Sequence, residues 1–238
     1  MRRELHTLVL ALVGGTLLKL AITGDYQRYV KVGLRPYLVT AAVVVLIVAA
    51  FSLLQSRRAD SSHDHGHAHP TGRFDVAWLL VLPMLVLLLI APPAVGVFSA
   101  ARAGTALGAG STSALGPLPS GDPVRVSVLD YATRAVTDHG RSLAGRQVTL
   151  SGFVLPGPAG TWYLTRMVIR CCAADAQPVK VGLAGALPDT LRANDWISVT
   201  GRYLAERTDP DPVNNEPIPY LTVTSSTPIP APTLQYDS

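Results

Sequence analysis

Three runs of roughly twenty apolar residues stand within the first hundred positions, Leu5–Ile22, Pro36–Leu54 and Val76–Phe98, and no comparable run follows them. A helix rises about 1.5 Å per residue, so about twenty such residues cross the roughly 30 Å hydrocarbon core of a bilayer. Inside that core every backbone polar group must be satisfied within the protein, which makes helix the expected state of each run. The first, LHTLVLALVGGTLLKLAI, carries Lys19 near one end, where the stem can lie in hydrocarbon and the ammonium reach the headgroups. The second, PYLVTAAVVVLIVAAFSLL, opens on Pro36, which suits a first helical turn, and is followed by Arg57 and Arg58. The third, VAWLLVLPMLVLLLIAPPAVGVF, is interrupted by Pro83, Pro92 and Pro93, which predicts a kinked or short helix with Trp78 as interfacial anchor.

Arg2 and Arg3 ahead of an apolar stretch also suit a secretory signal, but two further apolar runs favour a retained helix. Gly14 and Gly15 weaken the first helix and leave room for a segment that re-enters the interface; they are either tolerated or used for close packing against another helix. Arg2, Arg3, Arg57, Arg58 and Arg73 fall on one side of a three-span anchor, against Arg28, Lys31, Arg35 and Arg102 on the other. The positive-inside rule then places the N-terminus and the loop between the second and third helices inside, and the C-terminal half outside the plasma membrane. No span carries a central Asp, Glu or Arg, so the anchor is a poor candidate for an ion pathway by itself.

The chain is 48% hydrophobic and only 15% charged, and the excess apolarity sits in its first half. Residues 1–102 hold ten Lys and Arg against five acids, whereas the remainder holds ten against eleven, so the basic balance belongs to the anchor. The boundaries expected are an anchor over 1–102 with a His-rich loop at 59–73, a flexible Gly-, Ala-, Ser- and Pro-rich linker over 103–123, and a soluble domain over 124–238.

In that domain Leu129, Ala132, Ala135 and Val136 fall at helical spacing within Val124–Gly140. Strand patterns follow at Gln147–Val154, Trp162–Ile169, Pro178–Leu183, Trp196–Tyr203 and Tyr220–Ser225. Five short strands, with Gly152 and Gly201 where a small barrel would bend sharply, predict an all-β domain, a five-stranded OB-like barrel, with a small sandwich as the rival. Nucleic acid is excluded as partner, because the near-neutral domain has no basic, aromatic-studded groove to offset phosphate charge.

Two constellations bear on chemistry. His63, His65, His67 and His69 lie in the loop between the second and third helices, and neutral imidazoles in a flexible tract are ligands for a divalent transition metal such as zinc. The bland alternative is a solvated loop. Arg170-Cys171-Cys172-Ala173-Ala174-Asp175 comes directly after a strand, where consecutive side chains face opposite sides, so the thiols share a site only if the chain turns. They read as small buried hydrophobes, as metal-ligating thiolates with Asp175 or His139, or as a redox pair. Asp130, Arg134, Asp138 and His139 fit solvated helix polarity; no nucleophile elbow, phosphate loop or dinucleotide fingerprint accompanies them, so no enzyme is expected.

The order of RPYL at the head of an apolar helix, a His-rich loop, a Pro-interrupted helix, GFV, TRMVIRCCAADAQPV and DWISVTGRY resembles the YcgQ-like family of bacterial membrane proteins over nearly the whole chain. Arg166–Pro178, with Cys171, Cys172, Ala174 and Asp175, is its most specific stretch. The resemblance implies a non-enzymatic accessory subunit of a two-component permease, working with a polytopic membrane partner. A membrane-bound metal-handling protein using the His loop and the cysteine pair is the alternative.

Overall fold

Helix α1 runs over Arg2–Thr23 and α2 over Arg35–Ala59, joined by two 3-10 turns at Asp25–Arg28 and Val32–Leu34. The computed structural model describes residues 2–59, 82–83, 85–86, 89, 95–107, 116–185 and 187–237. It divides into two compact units, Met1–Pro93 and Ala94–Ser238.

In the first unit α1 continues straight through the glycine pair, and the two glycines do different things. A Cβ on Gly14 would stand 2.7 Å from Leu46 Cγ and 3.3 Å from the Ala42 carbonyl, so only glycine lets α2 approach there. Gly15 meets nothing within 4 Å. The hairpin is fastened at its open end by a hydrogen bond of 3.0 Å between the Thr7 and Ser52 hydroxyls. By length and composition His6–Thr23 and Val32–Gln55 are both able to cross a membrane. The third apolar run lies mostly outside the described residues. Its last part belongs to the second unit: Val95 and Val97 pack there, and Val97–Ala100 forms α3, whose Ala100 is buried.

The second unit is a mixed sheet packed with the expected helix. After β1 (Val124–Arg125) comes α4 (Val128–Thr137), capped by the Ser127 hydroxyl accepting the Asp130 amide at 2.9 Å. Its buried stripe is Val128, Tyr131, Ala132 and Ala135, shifted from the stripe expected because Tyr131 supplies the anchor and donates its hydroxyl to the Tyr220 carbonyl at 2.8 Å. The five expected strands all form: β2 (Gln147–Pro156), β3 (Trp162–Val168), β4 (Gln177–Ala184), β5 (Trp196–Pro210) and β6 (Pro217–Pro228). With β1 and β7 (Tyr236–Asp237) they make a seven-stranded sheet ordered β1-β2-β5-β6-β4-β3-β7, in which β2 also pairs with β3. Neighbours are antiparallel except β1–β2, β4–β6 and β3–β7. At Gly152 and Gly201 a Cβ would meet the carbonyl oxygens of Thr165 (2.6 Å) and Thr222 (2.2 Å), and the β5–β6 register slips beside Gly201. These glycines therefore mark close strand crossings.

Both faces of β3 are buried, because two cores flank it. Leu164 joins Val148, Leu150, Val181, Leu221 and α4 on one side, while Tyr163 and Met167 join Phe153, Tyr220 and Ala100 on the other. Residues 103–107, read from sequence as the start of a linker, are built into the domain, with Leu107 in the first core. β4 pairs with β6 only from Gly182 onward, and below that point the Ala106 amide bonds to the Pro178 carbonyl at 2.9 Å. Lys180 Nζ donates to the Ala103 carbonyl and to Asp211 Oδ2, both at 2.8 Å, and Asp211 also accepts the Thr105 and Val213 amides. Lys180 and Asp211 are each only 2% exposed.

Replacing Lys180 by Met would leave the Asp211 carboxylate buried without its cation, a loss of about 3–5 kcal/mol. The double variant Lys180→Met/Asp211→Leu recovers only part of it, since the Thr105 and Val213 amides then lack an acceptor. Thermal unfolding of the full chain in mild detergent measures both.

Candidate functional site

Strand β3 ends at Val168, and the chain then enters a tight turn rather than continuing as strand. Cys172 caps a 3-10 turn at Ala173–Asp175. The Asp175 carboxylate organises it by accepting the amides of Arg170 at 2.9 Å, Cys171 at 2.8 Å and Cys172 at 3.5 Å. Folding the chain back on one carboxylate brings both thiols to the same side, with Sγ of Cys171 and Cys172 3.5 Å apart. The donor atoms of Cys171, Cys172 and Asp175 lie within 4.8 Å of one another, and among the described residues this group forms without His139. Both cysteines are free; Cys171 is exposed and Cys172 half-buried, so neither is the buried small hydrophobe that one reading allowed.

Charge in the turn is set by these contacts. The Cys171 thiol is pushed up to about 11, first by its hydrogen bond to Asp175 and then by that to Cys172. The same thiol hydrogen bond, with the Arg170 and Cys171 amides, brings Asp175 down to about 2. Ligand-free, Cys171 is therefore a protonated donor and a poor nucleophile at neutral pH. The turn's hold on its carboxylate persists above the ordinary carboxylate range and is lost as pH falls toward 2.

His63, His65, His67 and His69 lie outside the described residues. Asp130 and Arg134 pair at 3.0 Å along α4, and Arg134 also donates to the Gly116 carbonyl, so this polarity serves the helix. Sequence reasoning missed two further clusters. Arg166 Nε donates to Asp237 at 3.0 Å and Nη2 to the Leu234 carbonyl, tying residues 234–237 to β3, while Asp237 also accepts the Leu129 amide. On the β5–β6 hairpin, the Tyr220 hydroxyl donates to Asp209 at 2.6 Å and Arg207 Nη2 pairs with Asp209 at 2.9 Å. Burial, then Asp209, raises the Tyr220 phenol, and Arg207 holds Asp209 below the usual carboxylate range, so the trio is a fixed brace. A cavity of about 260 Å³ beside Trp196, Leu191 and Ile229 is smaller than the roughly 300 Å³ at which small-molecule sites begin.

In Asp175→Asn the Cys171 thiol loses its anionic acceptor and drops toward the ordinary value of about 8.5. More thiolate, partly offset by the lower nucleophilicity of a weaker base, gives an iodoacetamide rate at pH 8 on the order of ten-fold faster. Mass-resolved alkylation of Cys171 against time measures it.

No curated protein and no solved structure matches the chain. Residues 5–102 match the DUF1980 N-terminal domain and residues 124–236 the DUF1980 C-terminal domain. The two domains of one family thus account for most of the chain in their natural order, and the protein belongs to the DUF1980 family.

Proposed function

We propose that this protein is a multi-pass subunit of a bacterial plasma membrane, with about three transmembrane helices and its sheet domain outside, serving without catalysis as the accessory component of a two-component permease. The observation that carries the reading is the apolar side of the α1–α2 hairpin that stands exposed among the described residues. Val44, Ile47 and Phe51 on α2 are 54%, 61% and 62% exposed. Only 22% and 11% of the residues in the two candidate spans are buried, whereas the core helices of a water-soluble protein would be mostly buried. A secretory signal has a single apolar stretch of about 7–15 residues, and two long helices in tandem exceed it. Lipid or a neighbouring helix is the surface that such a hairpin suits.

In lipid, apolar burial does not hold helices together, so small residues that permit close approach must do so. Gly14 is already engaged within the hairpin, which leaves the open side at Gly15, with the exposed α2 stripe, for a larger polytopic partner. For the sheet domain, the return of the pairing path β2–β5–β6–β4–β3 to β2, with one parallel pair β4–β6, supports reading the five long strands as a small OB-type barrel. Its second and third strands, where such barrels take oligonucleotides or sugars, carry Ala100 of α3 against one face, while residues 103–107 and β7 bond to their edges. That covering favours a scaffold or lid at the partner's mouth over nucleic-acid binding.

The test is affinity purification of the full chain from native bacterial membranes in mild detergent. A polytopic partner should copurify with the unaltered chain, should be lost with Gly15→Leu or Ile47→Arg, and should survive Lys180→Met. Recovery of the chain without any polytopic protein would sink the proposal.

A further inference from the structure

We infer that the Cys171–Asp175 turn is an exchangeable binding site for a tetrahedral, thiophilic divalent cation of the zinc type, with Cys171 Sγ, Cys172 Sγ and an Asp175 carboxylate oxygen as its three protein ligands. Bond lengths select the ion. Two thiolates about 2.3 Å from a tetrahedral zinc lie about 3.8 Å apart, and a linear pair at similar bond length would lie about 4.6 Å apart. The observed separation is 3.5 Å, close to the tetrahedral spacing and well short of the linear one. The third donor belongs to the same turn, and all three donor atoms lie within 4.8 Å of one another. A carboxylate has about four acceptor positions; three take backbone amides, and the one taken by the Cys171 thiol is freed for a metal when that thiol gives up its proton.

Burial sets the kind of site. Closed structural zinc sites have four protein ligands, whereas here three come from one five-residue turn with Cys171 at the surface, so the fourth position is open to water or an incoming donor. The turn is held by its own hydrogen bonds to Asp175, so the ion is not needed to fold it. This is the architecture of a site that takes up and hands on a cation. On binding, two S–H bonds break, two metal–sulfur bonds form and two protons pass to solvent, while the carboxylate adds as an ionised donor; no oxidant or reductant takes part. The site stands apart from the permease reading, because it needs no partner.

The experiment titrates the reduced full chain in detergent with Co2+, then displaces it with Zn2+, in a His63→Ala/His65→Ala/His67→Ala/His69→Ala background that removes the histidine tract. The expected result is one ion per chain with a near-ultraviolet thiolate-to-cobalt charge-transfer band and tetrahedral visible absorption. About two protons should be released per ion, and a chelator should remove it without changing the far-ultraviolet circular dichroism. Cys171→Ser and Cys172→Ser should each weaken binding more than about 100-fold, beyond the 10–100-fold of a lost outer-shell partner. Absence of the sulfur band, binding at undiminished affinity in either serine variant, or proton release near zero in the unaltered turn would overturn the assignment. The serine variants keep the backbone bonds to Asp175, and an unchanged dichroism spectrum shows that they fold.

Discussion

The buried pair Lys180–Asp211 is the constraint on which the outer face of the sheet domain depends. It joins three segments that share no regular pairing at that point: β4 below Gly182, the tip of the β5–β6 hairpin and residues 103–105. Such a pair gains little net stability, because desolvating two ions offsets most of their attraction. What it supplies is position. A lysine buried on the face opposite Val179 and Val181 has one place for its ammonium, and the Ala103 carbonyl and the Asp211 carboxylate define that place between them.

With that face covered, β3 is buried on both sides and gives the following turn a packed base. Its second clasp, Arg166 with Asp237, ties residues 234–237 to the strand from the opposite face, since Arg166 pairs with Val179. Cys171 begins three residues beyond the end of this strand, so the turn grows from a fixed base and its geometry is set by backbone bonds. A mobile loop would have to lose the entropy of two free thiols and a free carboxylate at the moment of binding. In this turn Asp175 has already ordered all three groups.

The five long strands were legible because alternation and β-branched runs report a pleated, buried surface, and each has Gly, Pro or Asp near at least one end. The need for a turn at the cysteine pair was legible from strand geometry alone. The two-residue strands β1 and β7 were not, since two residues have no period and depend wholly on the neighbour they pair with. The buried charges left a signal that pattern reading passes over: Lys180 is one of three lysines in the chain and stands inside VKVGL, and Arg166 stands inside LTRMVI. A charge flanked by branched apolar residues in a strand asks for a buried partner. Which acid answers, Asp211 or Asp237, is a matter of long-range topology that no local pattern encodes.

The glycine pair shows the same limit within the anchor. Consecutive residues on a helix point about 100° apart, so Gly14 and Gly15 cannot both serve one interface. Sequence offers no way to say which of them faces α2. Once Gly14 is assigned to Leu46 and Ala42, Gly15 is turned away from the hairpin seam. Ile47 and Phe51, both well exposed on α2, are four residues apart and so stack on one side of that helix. Among the described residues the hairpin is closed by Gly14, while Gly15 and the apolar ridge of α2 are left uncovered; in lipid these are the positions left for a further helix. There close approach rather than apolarity drives association, so this is the surface on which a partner would be chosen.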